Sequence, residues 1–471
     1  MNITGRKTEK YALKRITESE QAEFVAVFGR RRVGKTFLVR EFFNNKFTFY
    51  HTGTANADME TQLHSFNTSL NNYSSDRYPE AANWFDSFEQ LRKLISRRRK
   101  KGKKVVFIDE MPWIDTPRSG FISALEHFWN GWASGQHDIL LIVCGSASSW
   151  MTNKLLKNRG GLHNRVTQQI HLRPFTLSEC EAYHKTRNIV MTRHEMVENY
   201  MIFGGIPFYL SLMEKQLSMA QNIDSLIFAE NAPLKNEFQN LYASLFKKAE
   251  NHIKIVEALS SKDKGLTRDE IISISKLPNG GSVTRILEEL ELSGFIRQYR
   301  SFGKKNRDCL YQLVDFFTLF YFNFLHNSTY RDEHYWTNFI ENARHRTWTG
   351  YAFEQVCLAH LPQIKQKLGI AGVLTNTCSW VSNDREDGAQ IDLLIERNDK
   401  VINLCEMKFA KGEFTITKKI DENIRHKRSS FQEETKTTHA IHVTMITTYG
   451  VKHNLYWGQI QSEVTVNDLF K

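Results

Sequence analysis

The sequence contains no CxxC pair, no HExxH and no apolar run of bilayer-spanning length. Its six cysteines are scattered at 144, 180, 309, 357, 378 and 405, which leaves neither a zinc knuckle nor a disulfide framework. Cys144 and Cys405 stand in apolar, strand-like runs, where cysteine serves as a small buried hydrophobe. The seventeen histidines show no ligand spacing, so no structural metal is assigned. The longest apolar run, Ile139–Cys144, is strand-sized, against the roughly 20 residues of a membrane helix. The polar, charged first ten residues lack the apolar stretch of a signal peptide. Internal repeats and low-complexity tracts are absent as well. These absences predict a cytoplasmic chain with no membrane contact.

What is present points elsewhere. A length of 471 residues suggests about three domains. With 41% hydrophobic and 12% aromatic residues, each domain can bury a core. The formal net charge of +11 favours an acidic partner, of which nucleic acid is the commonest.

Up to about residue 240, short apolar runs alternate with helical patterns: Phe24–Phe28, Val105–Ile108 and Ile139–Val143. Continuous β-branched runs separated by helices predict a buried parallel sheet and an α/β fold. Between about 241 and 314 the pattern changes. A helix over Ile253–Leu259 is followed by Thr267 as N-cap of Arg268–Ser275, a turn at Pro278–Gly281 and a helix over Ser282–Leu292. Gly294–Arg297 and Cys309–Tyr311 then read as a hairpin joined by the basic segment Ser301–Arg307. Helix, turn, helix and basic hairpin is the layout of a winged helix. Residues 315–350, with Phe316, Phe317, Phe320, Tyr321, Phe322 and Phe324, read as a packed connecting helix. A small α/β unit follows from 351.

Gly29-Arg30-Arg31-Arg32-Val33-Gly34-Lys35-Thr36 fits GxxxxGK[ST] at every fixed position, between a buried-strand pattern and the amphipathic stretch Phe37–Phe43. The glycines let backbone N–H groups wrap a phosphate at a helix N-terminus. Lys35 reaches the outer phosphates, and the Thr36 hydroxyl ligates Mg²⁺. Val105–Ile108 ends in Asp109 and Glu110, which places Asp109 near the metal's water shell and Glu110 where it polarises the attacking water. A third run ends in Cys144-Gly145-Ser146, so Ser146 is placed to sense the γ-phosphate; the same residues also read as an ordinary Gly/Ser turn. Arg159 and Arg165 follow, and either is placed to stabilise transition-state charge.

These residues, together with Ile3–Arg6, Asn164–Thr167, Leu172–Phe175 and Gly204–Pro207, resemble one family over most of the chain. It is the archaeal-type ATPases, a branch of the AAA+/STAND P-loop ATPases. The resemblance implies that the nucleotide is ATP, in keeping with the lack of an NKxD guanine-reading motif. It implies that Arg165 is the position-matched arginine, acting within the chain or on a neighbour in a homo-oligomer. It also implies that Gly205 and Pro207 belong to a lid near the nucleotide. The expected organisation is an ATPase core over 1–175, a helical lid over 176–240, the winged helix, the connector, and a restriction-endonuclease-like domain over 351–471.

The last of these has its own signal. Gln390-Ile391-Asp392 opens an apolar strand, Arg397–Lys400 turns it, and the next strand carries Glu406-Met407-Lys408. Glu406 and Lys408 share one strand face, and the hairpin brings Asp392 beside them. Asp392 and Glu406 are candidate Mg²⁺ ligands, with Lys408 as the accompanying ammonium. Glu354 matches the first acidic position of the PD-(D/E)xK nucleases, whereas Gln390 stands where the motif's name has proline. Solvated charges on an edge strand, or a binding module without activity, fit the same residues.

Two basic segments stand out. Arg97–Lys104 suits a helix C-terminus and a solvated loop. Arg297, Arg300, Lys304, Lys305 and Arg307 on the hairpin, with Ser282, Thr284 and Arg285 on the helix before it, suit DNA or a partner protein.

Overall fold

The computed structural model describes residues 3–99, 101–157, 160–246, 248–303, 309–326, 332–339, 342–384 and 387–471. The chain divides into two compact units, Met1–Pro174 and Phe175–Lys471.

The first unit is built on five strands: β1 (Glu23–Phe28), β2 (Phe49–Thr52), β3 (Lys104–Asp109), β4 (Ile139–Gly145) and β5 (Gln168–His171). They pair in parallel in the order β2-β3-β4-β1-β5. Strand β4 is buried at every position, as expected of a run covered on both faces. One face carries Phe66, Trp84, Phe88 and Phe121 from neighbouring helices, all within one apolar cluster. Full burial of each such side chain contributes about 1.5–3 kcal/mol. The register sets Phe28 beside Gly145 and Ile108 beside Val143, so three strands deliver their carboxyl ends level with one another. The basic run is largely tied down within this unit. Arg97 pairs with Asp76, Lys103 is buried and donates to His137 O at 2.9 Å, and Lys104 pairs with Asp138 at 2.9 Å.

In the second unit, capping boxes start the helices Leu177–Thr186 (Thr176 with Glu179) and Arg193–Phe203 (Thr192 with Glu195). Gly205 has a positive φ, and a Cβ there would stand 2.2 Å from Phe175 O; Pro207 opens the helix Pro207–Ser211. Helices Ala249–Ser260, Arg268–Ser275 and Gly281–Leu292 precede the antiparallel hairpin β6 (Ile296–Tyr299) and β7 (Leu310–Leu313). Thr267 caps the second of these helices through a box with Glu270. Lys304, Lys305 and Arg307 lie outside the described residues.

The aromatic connector is not one helix. It comprises Phe316–Phe320, a π-turn at Tyr321–Leu325 and a separate helix Tyr335–Phe339. The chain stays helical from Phe316 through Leu325, and rings pack around it: Tyr321 stacks on Phe238 at 3.9 Å, and Trp336 packs against Phe320 and Phe324 at 5.2 Å each. The helix carrying Glu354 runs Ala343–Ala359, so it begins within the stretch read as connector.

The C-terminal sheet consists of β8 (Thr375–Val381), β9 (Gln390–Arg397), β10 (Val401–Lys408), β11 (Ala440–Thr447) and β12 (Ser462–Thr465), in the order β12-β11-β10-β9-β8. Strands β8, β9 and β10 are antiparallel; β10, β11 and β12 are parallel, with helix Lys418–Thr435 crossing between β10 and β11. The segment after β6 docks on this sheet. Phe302 N donates to Ser379 O on β8 at 2.7 Å, and its ring meets buried Phe431 edge-on at 5.0 Å. All six cysteines are free and buried. Among the described residues, no helix is long and apolar enough to cross a membrane.

Candidate functional site

Two sites emerge, one in each unit. In the first, the chain leaves β1 at Gly29 and turns into the helix Lys35–Phe42 at Gly34. Gly29 has φ 143°, and a Cβ there would stand 2.2 Å from Leu172 O, so any side chain would push the loop off the segment after β5. Gly34 has space around it but φ 87°, where the left-handed backbone is the constraint. The helix therefore begins with its unpaired N–H groups turned toward the loop. Lys35 is buried, and its ammonium donates to Gly29 O at 3.0 Å and Arg30 O at 2.9 Å. Arg30 and Val33 are buried; Arg31 and Arg32 are half-buried.

Thr36 and Asp109 meet directly, with Thr36 Oγ1 donating to Asp109 Oδ2 at 2.6 Å. The other carboxylate oxygen of Asp109 accepts from the Glu110 backbone N–H at 2.9 Å. Glu110 itself takes a left-handed φ of 45°, which turns its side chain out of the strand direction. Its two oxygens accept from the Ser146 hydroxyl at 3.0 and 2.8 Å. Lys35, Thr36, Asp109, Glu110 and Ser146 thus occupy the ends of β1, β3 and β4. A hydroxyl and a carboxylate in contact form a hard-oxygen donor set that fits Mg²⁺. Burial, and next Asp109, push the Cys144 thiol well up, so this cysteine stays neutral behind the site.

Arg165 is exposed, and its side chain makes no hydrogen bond or ion pair among the described residues. Arg159 lies outside the described residues. Arg6 closes the Ile3–Arg6 segment of the family resemblance; it is buried and bridges the loop to the segment after β5. Its guanidinium donates to Val33 O at 3.1 Å and to Arg173 O at 2.7 Å. What it touches is not legible locally, since the two acceptors lie 27 and 167 residues away in sequence.

In the second unit, Cys405 pairs with Leu393 across the β9–β10 ladder. Continuing that register brings Asp392 level with Glu406, and both line the same cleft. Lys408 Nζ lies 2.9 Å from Glu406 Oε1, and Lys427 of the crossover helix donates to both Glu406 oxygens at 3.1 and 2.8 Å. The Gln390 amide bonds to Asp392. Glu354 joins them from its helix, and all four predicted residues line one polar cleft of about 570 Å³. Burial, with Asp392 next, pushes the Glu354 carboxyl up to about 8. Burial works against the charge on Glu406, but Lys408 and Lys427 outweigh it and hold the carboxyl below its ordinary range. Among the described residues, no group of three His, Cys, Asp or Glu side chains is preformed to hold a metal ion. Lys427 has no motif to mark it; it reaches Glu406 from 21 residues away in sequence.

Residues 4–213 match the family described as an ATPase domain predominantly from Archaea. The chain is 22% identical over 429 residues to an uncharacterised protein of Methanocaldococcus jannaschii, covering 90% of this chain and 91% of that one. Among solved structures, it is similar to the Walker-type ATPase PABY2304 of Pyrococcus abyssi (TM-score 0.49, 15% identity, 68% of this chain and 95% of that one). It is also similar to the ORC2 protein of Aeropyrum pernix (TM-score 0.42, 16% identity, 67% and 91%).

Proposed function

We propose that this chain, whose residues 4–213 form an archaeal-type ATPase domain, is an ATP-driven switch that acts on DNA and carries a metal-dependent nuclease site. In the ATPase domain, Lys35 and the loop N–H groups hold the phosphates, while Thr36 and Asp109 hold Mg²⁺. The ion, when bound, offsets phosphate charge. Glu110 orients and deprotonates the attacking water, and Ser146 keeps the Glu110 carboxylate in place. Arg165 supplies positive charge from outside the strand ends, in this chain or to a neighbouring copy. The three helices with the β6–β7 hairpin act as a winged helix that engages duplex.

The observation that carries the nuclease reading is the convergence of Glu354, Asp392, Glu406 and Lys408 on one cleft. Crowded carboxylates repel unless a cation offsets them, and burial with Asp392 beside it pushes the Glu354 carboxyl up to about 8. Asp392 and Glu406 offer the oxygens for a divalent ion, and Lys408 stabilises charge on the phosphate under attack. Plasmid incubated with Mg²⁺ or Mn²⁺, with and without ATP, tests this. Metal-dependent nicking by the wild type, lost in Asp392→Ala, is the expected result; equal nicking by both would remove the assignment.

One observation favours a second reading, a regulatory ATPase whose C-terminal domain only binds. Glu406 is already neutralised by two lysines, Lys408 and Lys427. Robust ATP hydrolysis without nicking under any metal would select it.

A further inference from the structure

The hairpin is not a free arm beside the C-terminal cleft. The segment that leaves β6 bonds to β8 through Phe302 N to Ser379 O at 2.7 Å, and the Tyr351 hydroxyl donates to Asp263 O at 3.1 Å. Through these ties, Arg297 and Tyr299 of β6 become lining residues of the same cleft as Glu354, Asp392, Glu406 and Lys408.

Arg297 differs from the other cations there. Lys408 and Lys427 are both committed to Glu406. Arg297 pairs with no carboxylate among the described residues; its Nε donates to the neutral amide oxygen of Gln312 at 2.9 Å. That amide is itself anchored, donating to Asp263 O at 2.6 Å. The guanidinium carbon lies 5.3 Å from the Tyr299 ring centroid, which fixes the plane of the fork. A guanidinium has five donor hydrogens, and Gln312 accepts from only one edge, so Nη1 keeps its donors for a ligand. A positioned, uncommitted fork in the wall of a cleft that also holds Lys408 and Lys427 suits a phosphate bound bidentately.

We propose that Arg297 contacts a backbone phosphate of duplex DNA held at the C-terminal cleft, so that hairpin and sheet bind one duplex as a single surface. The inference rests on the reading of the cleft as a DNA site, and it goes beyond that reading by giving one wall to the hairpin. Arg297 belongs to the binding surface and takes no part in proton transfer.

The test uses the full chain and a short labelled duplex in Ca²⁺, with affinity measured across a range of salt concentrations. Arg297→Gln is expected to weaken binding roughly ten-fold, the scale of one charge-assisted hydrogen-bond pair. It is also expected to reduce the log–log salt slope by about one, since one fewer phosphate is neutralised. Arg297→Lys keeps the charge but loses the fork, so it should bind more weakly than wild type with an unchanged slope. Affinity and slope both at wild-type values in Arg297→Gln would overturn the proposal. So would a wild-type chain that binds no duplex. If Arg297→Gln melts early, Arg297→Lys decides, and wild-type affinity in that variant counts against the contact. Nicking by wild type and Asp392→Ala is scored separately, so a failed nuclease reading leaves the slope to judge Arg297.

Discussion

The Ser146 hydroxyl holds the Glu110 carboxylate at 2.8 Å, tying the end of β4 to the residue that follows β3. A general base contributes on the order of 10²–10⁴ in rate. Glu110→Gln should therefore retain ATP binding and lose at least about 100-fold in kcat. Ser146→Ala should lower kcat with little change in KM, because it frees the carboxylate without removing it. Steady-state hydrolysis beside equilibrium nucleotide binding separates the two effects. Turnover at the wild-type rate in Glu110→Gln would end the catalytic assignment.

Lys35 is buried in the loop, with its ammonium on Gly29 O and Arg30 O. Lys35→Ala should abolish nucleotide binding. A ligand at about 100 times its Kd stabilises the folded state by about 2.7 kcal/mol. The wild type should accordingly melt higher with ATP and Mg²⁺, and the variant should show no shift.

Arg6 satisfies two backbone carbonyls across the loop, at Val33 and Arg173. Arg6→Ala leaves both without that donor, at about 1–3 kcal/mol for each one left unsatisfied. Lower thermal stability together with a raised KM for ATP is expected. An unchanged KM would make Arg6 a purely structural strap.

Glu198 gives the chain a pH dependence. Burial, and next Glu195, raise its carboxyl from 4.5 to about 7. Between those values the folded chain holds a proton that the unfolded chain has released, so stability falls as pH rises through the window and is fully reduced above it. Glu198→Gln should flatten that part of the profile and melt higher than wild type at about pH 8. Urea midpoints of wild type and Glu198→Gln at about pH 5 and pH 8 separate this contribution from that of Glu354, whose carboxyl is raised in the same direction.

DNA binding should weaken steeply with salt as phosphate counterions are released. Replacing Lys304, Lys305 and Arg307 with alanine should flatten the slope by roughly one unit for each phosphate that is no longer neutralised. An unchanged slope would show that the hairpin loop meets something other than DNA.

The strands at Phe24–Phe28, Val105–Ile108 and Ile139–Val143 are legible in the sequence because a buried parallel strand has to be apolar throughout, and each of these runs is. The motif residues are legible for a related reason: the turn after such a strand needs glycines and charges that the core cannot hold. The aromatic connector misleads because residues 315–350 read as one packed helix, while the helix from Phe316 turns from α to π at Tyr321, whose ring stacks on Phe238 some eighty residues upstream, and ends at Leu325. The contacts of Arg6 and Lys427 and the role of Gln312 beside Arg297 are hidden for a related reason. Their partners are brought near only by the assembled fold.

Strand β8 closes one side of the C-terminal sheet, and Ser379 on it is met by the backbone of Phe302. An unpaired sheet margin is a template on which other chains assemble. Severing the protein within the aromatic connector would strip Phe302 from that margin and uncover Phe431. The released C-terminal fragment should therefore aggregate, and the β6–β7 hairpin with its helices should melt together with the C-terminal sheet in a single cooperative step when left joined.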